Sequence, residues 1–130
     1  MTLVFDSSLL IEIERRNKDI LEKLKEYMEL YPAAPQITFI NYFEFYDVVH
    51  DRQPHNKDKA LAFINNFNII YVTKKTAEIL SDLKRKYEKL GTAIALADLL
   101  IASQVIENKL ILLTLGKGFD KIDELNKIIL

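Results

Sequence analysis

Leu3-Val4-Phe5, Ile69-Ile70-Tyr71-Val72 and Leu110 to Leu113 are short runs that are apolar at every position rather than at every second one. A strand with one face in water alternates polar and apolar residues, so runs of this kind belong to strands covered on both faces. Between them the apolar residues recur at helical spacing. Leu9, Leu10, Ile11 and Ile13 follow a turn at Asp6-Ser7-Ser8. Ile20, Leu21, Leu24 and Met28 mark a helix over 18–30 that Pro32 and Pro35 end. Ile37-Thr38-Phe39 reads as a second short strand, and Tyr42, Phe43, Tyr46 and Val49 mark a helix over 41–49 that Pro54 closes. A further helix covers 57–66. Thr73 or Thr76 caps a long amphipathic helix through Ala77, Leu80, Leu83, Tyr87 and Leu90, which stops at Gly91. Residues 93–106 form a nearly all-apolar helix, Gly116-Lys117-Gly118 a flexible loop, and Ile128-Ile129-Leu130 a terminal strand.

Strands alternating with helices predict an α/β fold, a mainly parallel sheet covered by helices on both faces. With 130 residues, 49% of them hydrophobic, the chain supplies one core and one domain, 1–130. The absence of cysteine excludes disulfides and thiolate metal sites. Neither a basic leader nor an apolar run long enough to span a bilayer is visible, which predicts a soluble, cytoplasmic protein with no membrane partner. A net charge of −1 gives no global attraction for nucleic acid. A phosphate-bearing partner needs a local patch, and Lys74 with Lys75, Lys84-Arg85-Lys86 with Lys89, and Lys117 with Lys121 are the candidates, each equally readable as a solvated helix face.

Asp98 is the sharpest chemical signal, because Ile94-Ala-Leu-Ala-Asp98-Leu-Leu-Ile-Ala102 surrounds one carboxylate with apolar residues. Such a group needs a metal or a basic partner, and Lys109 and Lys117 are the lysines to consider. Asp6 follows a strand directly and reads either as a cap for the first helix or as an acid at the mouth of the sheet, with Ser8 bonded in the same turn. Glu44 shares a helix stripe with Asn41, Val48 and Asp51, a solvated face or the wall of a polar cleft that Asp47 also lines. Three acids from separate parts of the chain suit Mg²⁺ or Mn²⁺, which take oxygen ligands and keep waters. Thr114 ends a strand and adds a hydroxyl, and Lys117 can reach a phosphate from its glycine-flanked loop. His50 and His55 lie on either side of Pro54 and share no helix face, which argues against a histidine metal site.

Val4-Phe5-Asp6-Ser7-Ser8, then Glu44 after the second strand, then Ala97-Asp98-Leu-Leu-Ile-Ala102 with Leu112-Leu113-Thr114, in that order and spacing, resemble the PIN domain family, most of all the stand-alone VapC toxins of prokaryotic toxin–antitoxin pairs. The resemblance covers essentially the whole chain. It implies a three-layer α/β/α sandwich and a Mg²⁺- or Mn²⁺-dependent endoribonuclease that hydrolyses RNA, with Asp6, Glu44 and Asp98 on the metal and Ser8 and Thr114 supporting them. It also implies a homodimer neutralised by a cognate antitoxin protein. One departure stands out: where the family often carries a fourth acid or an asparagine two residues after the threonine, this chain has Gly116. Gly116 supplies no ligand, Asp120 matches an ordinary surface position, and three acids remain for one metal. A catalytically weakened PIN domain that binds RNA or a protein is therefore the alternative. A phospho-receiver-like domain is a third reading, which fits less well because Glu44 and Asp98 lie on helices rather than at strand ends.

Overall fold

The computed structural model describes residues 1–130. In chain order the elements are β1 (Leu3–Phe5), α1 (Ser7–Glu14), α2 (Lys18–Leu30), β2 (Gln36–Thr38), α3 (Phe39–Val49), α4 (Pro54–Ile64), β3 (Asn68–Ile70), α5 (Lys74–Lys89), α6 (Leu96–Glu107), β4 (Ile111–Thr114), a 3₁₀ turn (Lys117–Lys121) and β5 (Lys127–Ile129). The five strands form one sheet in the order β3-β2-β1-β4-β5, and all four pairings are parallel.

The apolar strands split their side chains between two cores, as a period of two requires. Leu3, Phe5, Ile37, Ile111 and Leu113 face α1 to α4, where Leu9, Leu10, Leu24, Phe45 and Ile64 meet them. Val4, Ile70 and Leu112 face the other way, against Leu83, Tyr87, Leu99, Ile101 and Val105 of α5 and α6. Helices thus cover both faces, and the α/β/α sandwich follows from the burial of both sides of each strand. From β1 the chain moves outward through β2 and β3, then returns to place β4 on the other flank of β1. This reversal makes a switch point between β1 and β4, where ligands of open parallel sheets bind beyond the strands' carboxyl ends. Asp6 and Thr114 stand there.

Several boundaries differ from the sequence reading. Phe39 opens α3 instead of ending β2, because Thr38 caps that helix through a capping box with Asn41. Tyr71 and Val72 lie beyond β3 and are exposed. Pro54 starts α4 at its first position, where a missing N–H costs nothing, rather than only closing α3. α6 begins at Leu96, and residues 92–95 approach it without regular structure. The segment expected as a flexible loop is wound at Lys117–Lys121 into a 3₁₀ turn pinned by the buried Phe119. Thr73, not Thr76, is the cap of α5, and Thr76 completes its capping box. Gly91 takes the left-handed conformation (φ 70°) after α5, as expected.

Candidate active site

β1 ends at Phe5, and Asp6 occupies the N-cap position of α1, yet its side chain does not cap the helix. Instead the carboxylate, almost fully buried, accepts three side-chain hydrogen bonds. Asn41 Nδ2 donates to Oδ1 at 3.1 Å; Thr114 Oγ1 and Ser8 Oγ donate to Oδ2 at 2.7 and 3.1 Å. Thr114 is itself positioned by the backbone N–H of Gly116, which donates to Oγ1 at 2.8 Å, and Ser8 Oγ accepts the N–H of Leu115 at 3.2 Å. Of the two readings open for Asp6, the cap is the one the geometry removes.

Glu44, half-buried on α3, accepts a 2.6 Å hydrogen bond from Ser7 Oγ. Ser7 Oγ in turn accepts from Asn41 Nδ2 at 3.2 Å, so the Asn41 amide bridges the supports of two acids. Asn41 is fully buried, and its Oδ1 takes both the backbone N–H and the hydroxyl of Thr38 at 3.0 and 2.8 Å. The capping box that starts α3 therefore also orients the amide between Asp6 and Glu44. Ser7 was not among the sequence candidates, and Asn41 was named only as a member of the Glu44 stripe, without a role; the Thr38-x-x-Asn41 capping pattern is the signal that points to its part here. Asp47 is exposed and joins none of these bonds.

Asp98 lies in the first turn of α6, half-buried, on the helical layer opposite the one that carries Glu44. Neither Lys109 nor Lys117 pairs with it, and the chain's ion pairs all lie elsewhere. Burial raises the carboxyl above its ordinary range, and the negative charges of Asp6 and Glu44 raise it further. Three carboxylates thus lie within electrostatic reach of one another without a basic neighbour. A Cβ on Gly118 would sit 3.6 Å from Asp98 Oδ2, so this glycine, not Gly116, borders the acid. Lys117 between them is exposed and contacts none of the acids. Among the basic candidates, Lys75, Lys84 and Lys86 are engaged with Glu78, Glu88 and Glu124, as on ordinary solvated helix faces.

An all-oxygen set of uncompensated carboxylates and hydroxyls fits a hard divalent cation such as Mg²⁺ or Mn²⁺. The three acids do not close into a ready-made cage. The largest hollow of the chain, about 460 Å³ between α1, α2 and α4, is lined by residues such as Ile13, Leu21 and Phe63 and contains none of the three acids.

Comparison with known proteins identifies the family and the fold. The PIN domain family model matches residues 3–125. Ribonuclease VapC3 of Methanocaldococcus jannaschii is 31% identical over 103 residues, covering 79% of this chain and 97% of that protein. The fold superposes on the VapBC2 structure from Rickettsia felis, solved with a promoter DNA fragment, with a TM-score of 0.85 at 22% identity, over 100% of this chain and 99% of the other. It superposes on VapBC-1 from nontypeable Haemophilus influenzae with a TM-score of 0.80 at 21% identity, over 99% and 98% of the two chains. The family model spans almost the whole chain and the curated relative almost the whole of its own length; this chain belongs to the PIN domain family, with VapC proteins among its relatives.

Proposed function

We propose that the chain is a Mg²⁺- or Mn²⁺-dependent endoribonuclease and the toxin of a toxin–antitoxin pair. The observation that carries the reading is that Asp6, at the sheet's switch point, and Glu44 lie within electrostatic reach of Asp98 and that none of the three has an ion-pair partner. The names of its relatives, a ribonuclease and the VapBC complexes, supply the substrate class and the antitoxin partner. A homodimer working in the cytoplasm completes the proposal; no helix is long and apolar enough to cross a membrane.

Asp6, Glu44 and Asp98 would hold the ion, which when bound supplies a water of lowered pKa and neutralises charge on a phosphoryl group. The chain's own residues do the positioning. The three donors on Asp6 fix where its remaining lone pairs point. Ser7 restrains Glu44, and the Asn41 bridge keeps the two carboxylates at a set separation. Raised by burial and by its neighbours, Asp98 gains most from a cation and is the acid whose loss we expect to be felt first. Gly118 leaves the approach to Asp98 free for a substrate backbone, and Lys117 beside it is the candidate contact to phosphate.

A second reading, a weakened PIN domain retained as a binding module, is favoured by the open geometry of the acids and by Gly116 and Gly118 standing where the 3₁₀ segment offers no fourth ligand. The two are separated by incubating the protein with mixed structured and single-stranded RNA in Mn²⁺, Mg²⁺ or EDTA, beside Asp98→Asn. Cleavage that needs both metal and Asp98 supports the nuclease. A folded, silent wild type with both metals supports the module.

A further inference from the structure

Between β4 and β5 the chain runs past Asp98 in a connection whose only regular element is the 3₁₀ turn. Gly118 borders Asp98 Oδ2, and Lys117 stands exposed beside it. The anchors of this connection lie farther along it. Phe119, Ile122 and Leu125 are buried in the same core cluster as Leu83, Tyr87 and Leu99. Every side-chain hydrogen bond made by residues 117–126 goes to Lys86, Tyr87 or Lys127. Tyr87 makes two of them: its hydroxyl donates to Glu124 Oε1 at 2.6 Å and accepts the backbone N–H of Asp123 at 2.9 Å. Lys86 Nζ donates to the other Glu124 oxygen at 3.0 Å.

Tyr87 is the one buried tyrosine of the chain, 3% exposed. A leucine or phenylalanine would fill the core at this position, so packing alone gives no reason for the hydroxyl. A buried phenol O–H needs partners, and both of its partners here are consecutive residues of the connection. The ring borders a cavity of about 150 Å³ together with Ile94, Leu96 and Leu99, residues that surround the first turn of α6, where Asp98 lies. One side chain is thus set against both segments that flank the acid. We infer that Tyr87 is a positioning residue for substrate: through its hydroxyl it clamps the connection so that Lys117 and Gly118 keep their place against Asp98. The inference rests on the nuclease reading and deepens it, giving a residue of α5 that bonds to none of the three acids control over how RNA is engaged. Metal binding is separate, because Asp6 and Glu44 are held by Ser7, Ser8, Asn41 and Thr114, which lie outside residues 117–126.

Tyr87→Phe in the full chain keeps the ring and removes the hydroxyl. Amide hydrogen exchange over residues 119–125 is expected to quicken roughly tenfold while α1 to α4 keep their protection. With Mn²⁺ and a single-stranded RNA that the wild type cleaves, KM is expected to rise roughly fivefold, with kcat and the Mn²⁺ dissociation constant within about twofold, the pattern of lost substrate binding. Lys117→Ala should raise KM to a similar extent, and the double variant Tyr87→Phe/Lys117→Ala no further, since the hydroxyl acts through the segment that carries the lysine. Glu124→Ala, a surface change that leaves the Asp123 N–H on Tyr87, should move exchange and KM in the same direction by less, and it keeps the test open if Tyr87→Phe folds poorly. Unchanged exchange in Tyr87→Phe overturns the clamp. Faster exchange with unchanged KM, or additive losses in the double variant, overturns the positioning role and leaves Tyr87 a core residue. A wild type that cleaves no RNA with Mn²⁺ or Mg²⁺ sinks the nuclease reading instead. The clamp is then judged on exchange and on affinity for the same RNA, where weaker binding by Tyr87→Phe supports it and equal binding overturns it.

Discussion

At the scale of single residues, the site is governed by charges left without partners. Asp98 has a folded pKa above its ordinary 3.8, first because of burial and then because of Asp6 and Glu44. The fold therefore binds this proton more tightly than the unfolded chain, and the stability contributed by Asp98 falls as pH rises from about 3.8 through the folded value, then stays level. In metal-free buffer at neutral pH, Asp98→Asn should raise the melting temperature by about 2 °C, a small gain because solvent screens a half-exposed carboxylate, and should lose it near pH 3. The same variant should show no metal-dependent cleavage; wild-type activity would remove Asp98 from the machinery. Gly118 and Gly116 make a second contrast. A side chain at 118 starts 3.6 Å from Asp98 Oδ2, whereas one at 116 meets Thr114 Oγ1 at 3.3 Å and crowds the hydroxyl that holds Asp6. Gly118→Asp should tighten Mn²⁺ binding roughly tenfold by calorimetry, since added ligand charge raises affinity. Gly116→Asp should not, and equal gains from both would mean that the turn is not held as described.

At the scale of elements, α3 combines the start of a helix with the alignment of two acids, so a change at its first turn is felt in both. Asn41→Leu removes the acceptor for the Thr38 N–H and hydroxyl and the donor to Asp6 and Ser7. Leaving these buried groups unpaired should cost about 2–4 kcal/mol by urea unfolding, against well under 1 kcal/mol for Asp47→Leu on the exposed side. Asp6 and Asp98 were legible in the sequence because a carboxylate directly after an apolar strand, or inside an apolar helix, conflicts with its surroundings and demands a reason. Asn41 and Ser7 were not, since a polar residue on a helix carries no such conflict until the fold sets it against a partner 34 to 37 positions away. The strand alternation was readable from doubly apolar runs, but β2 was placed one residue too far along and β3 was run two residues past its end. Phe39, Tyr71 and Val72 have the composition of a buried strand and lie exposed, because hydrophobicity alone does not fix where a strand ends or which side chains the core covers.

At the scale of the whole molecule, the acids come from both sides of the sheet: Glu44 from the layer of α1 to α4, Asp98 from the layer of α5 and α6, and Asp6 from the strand end between them. A cation held by all three would tie the two helical layers together at the carboxyl end of the sheet. Unfolding one layer would then release it, so metal binding and global stability are linked by mass action. At a Mn²⁺ concentration 100 times its dissociation constant the folded chain should gain about 2.7 kcal/mol, and its melting temperature should rise by about 8 °C. EDTA should reverse the shift, and Asp6→Asn should flatten it, because that substitution takes a ligand charge from the strand end where the layers meet. Each outcome is informative apart from catalysis. A full shift in a protein that cleaves no RNA would locate the weakness in substrate engagement, near Lys117 and Gly118. No shift with either Mn²⁺ or Mg²⁺ at millimolar concentration would mean that the repulsion among these acids is relieved by something other than a metal, and the binding-module reading would take precedence.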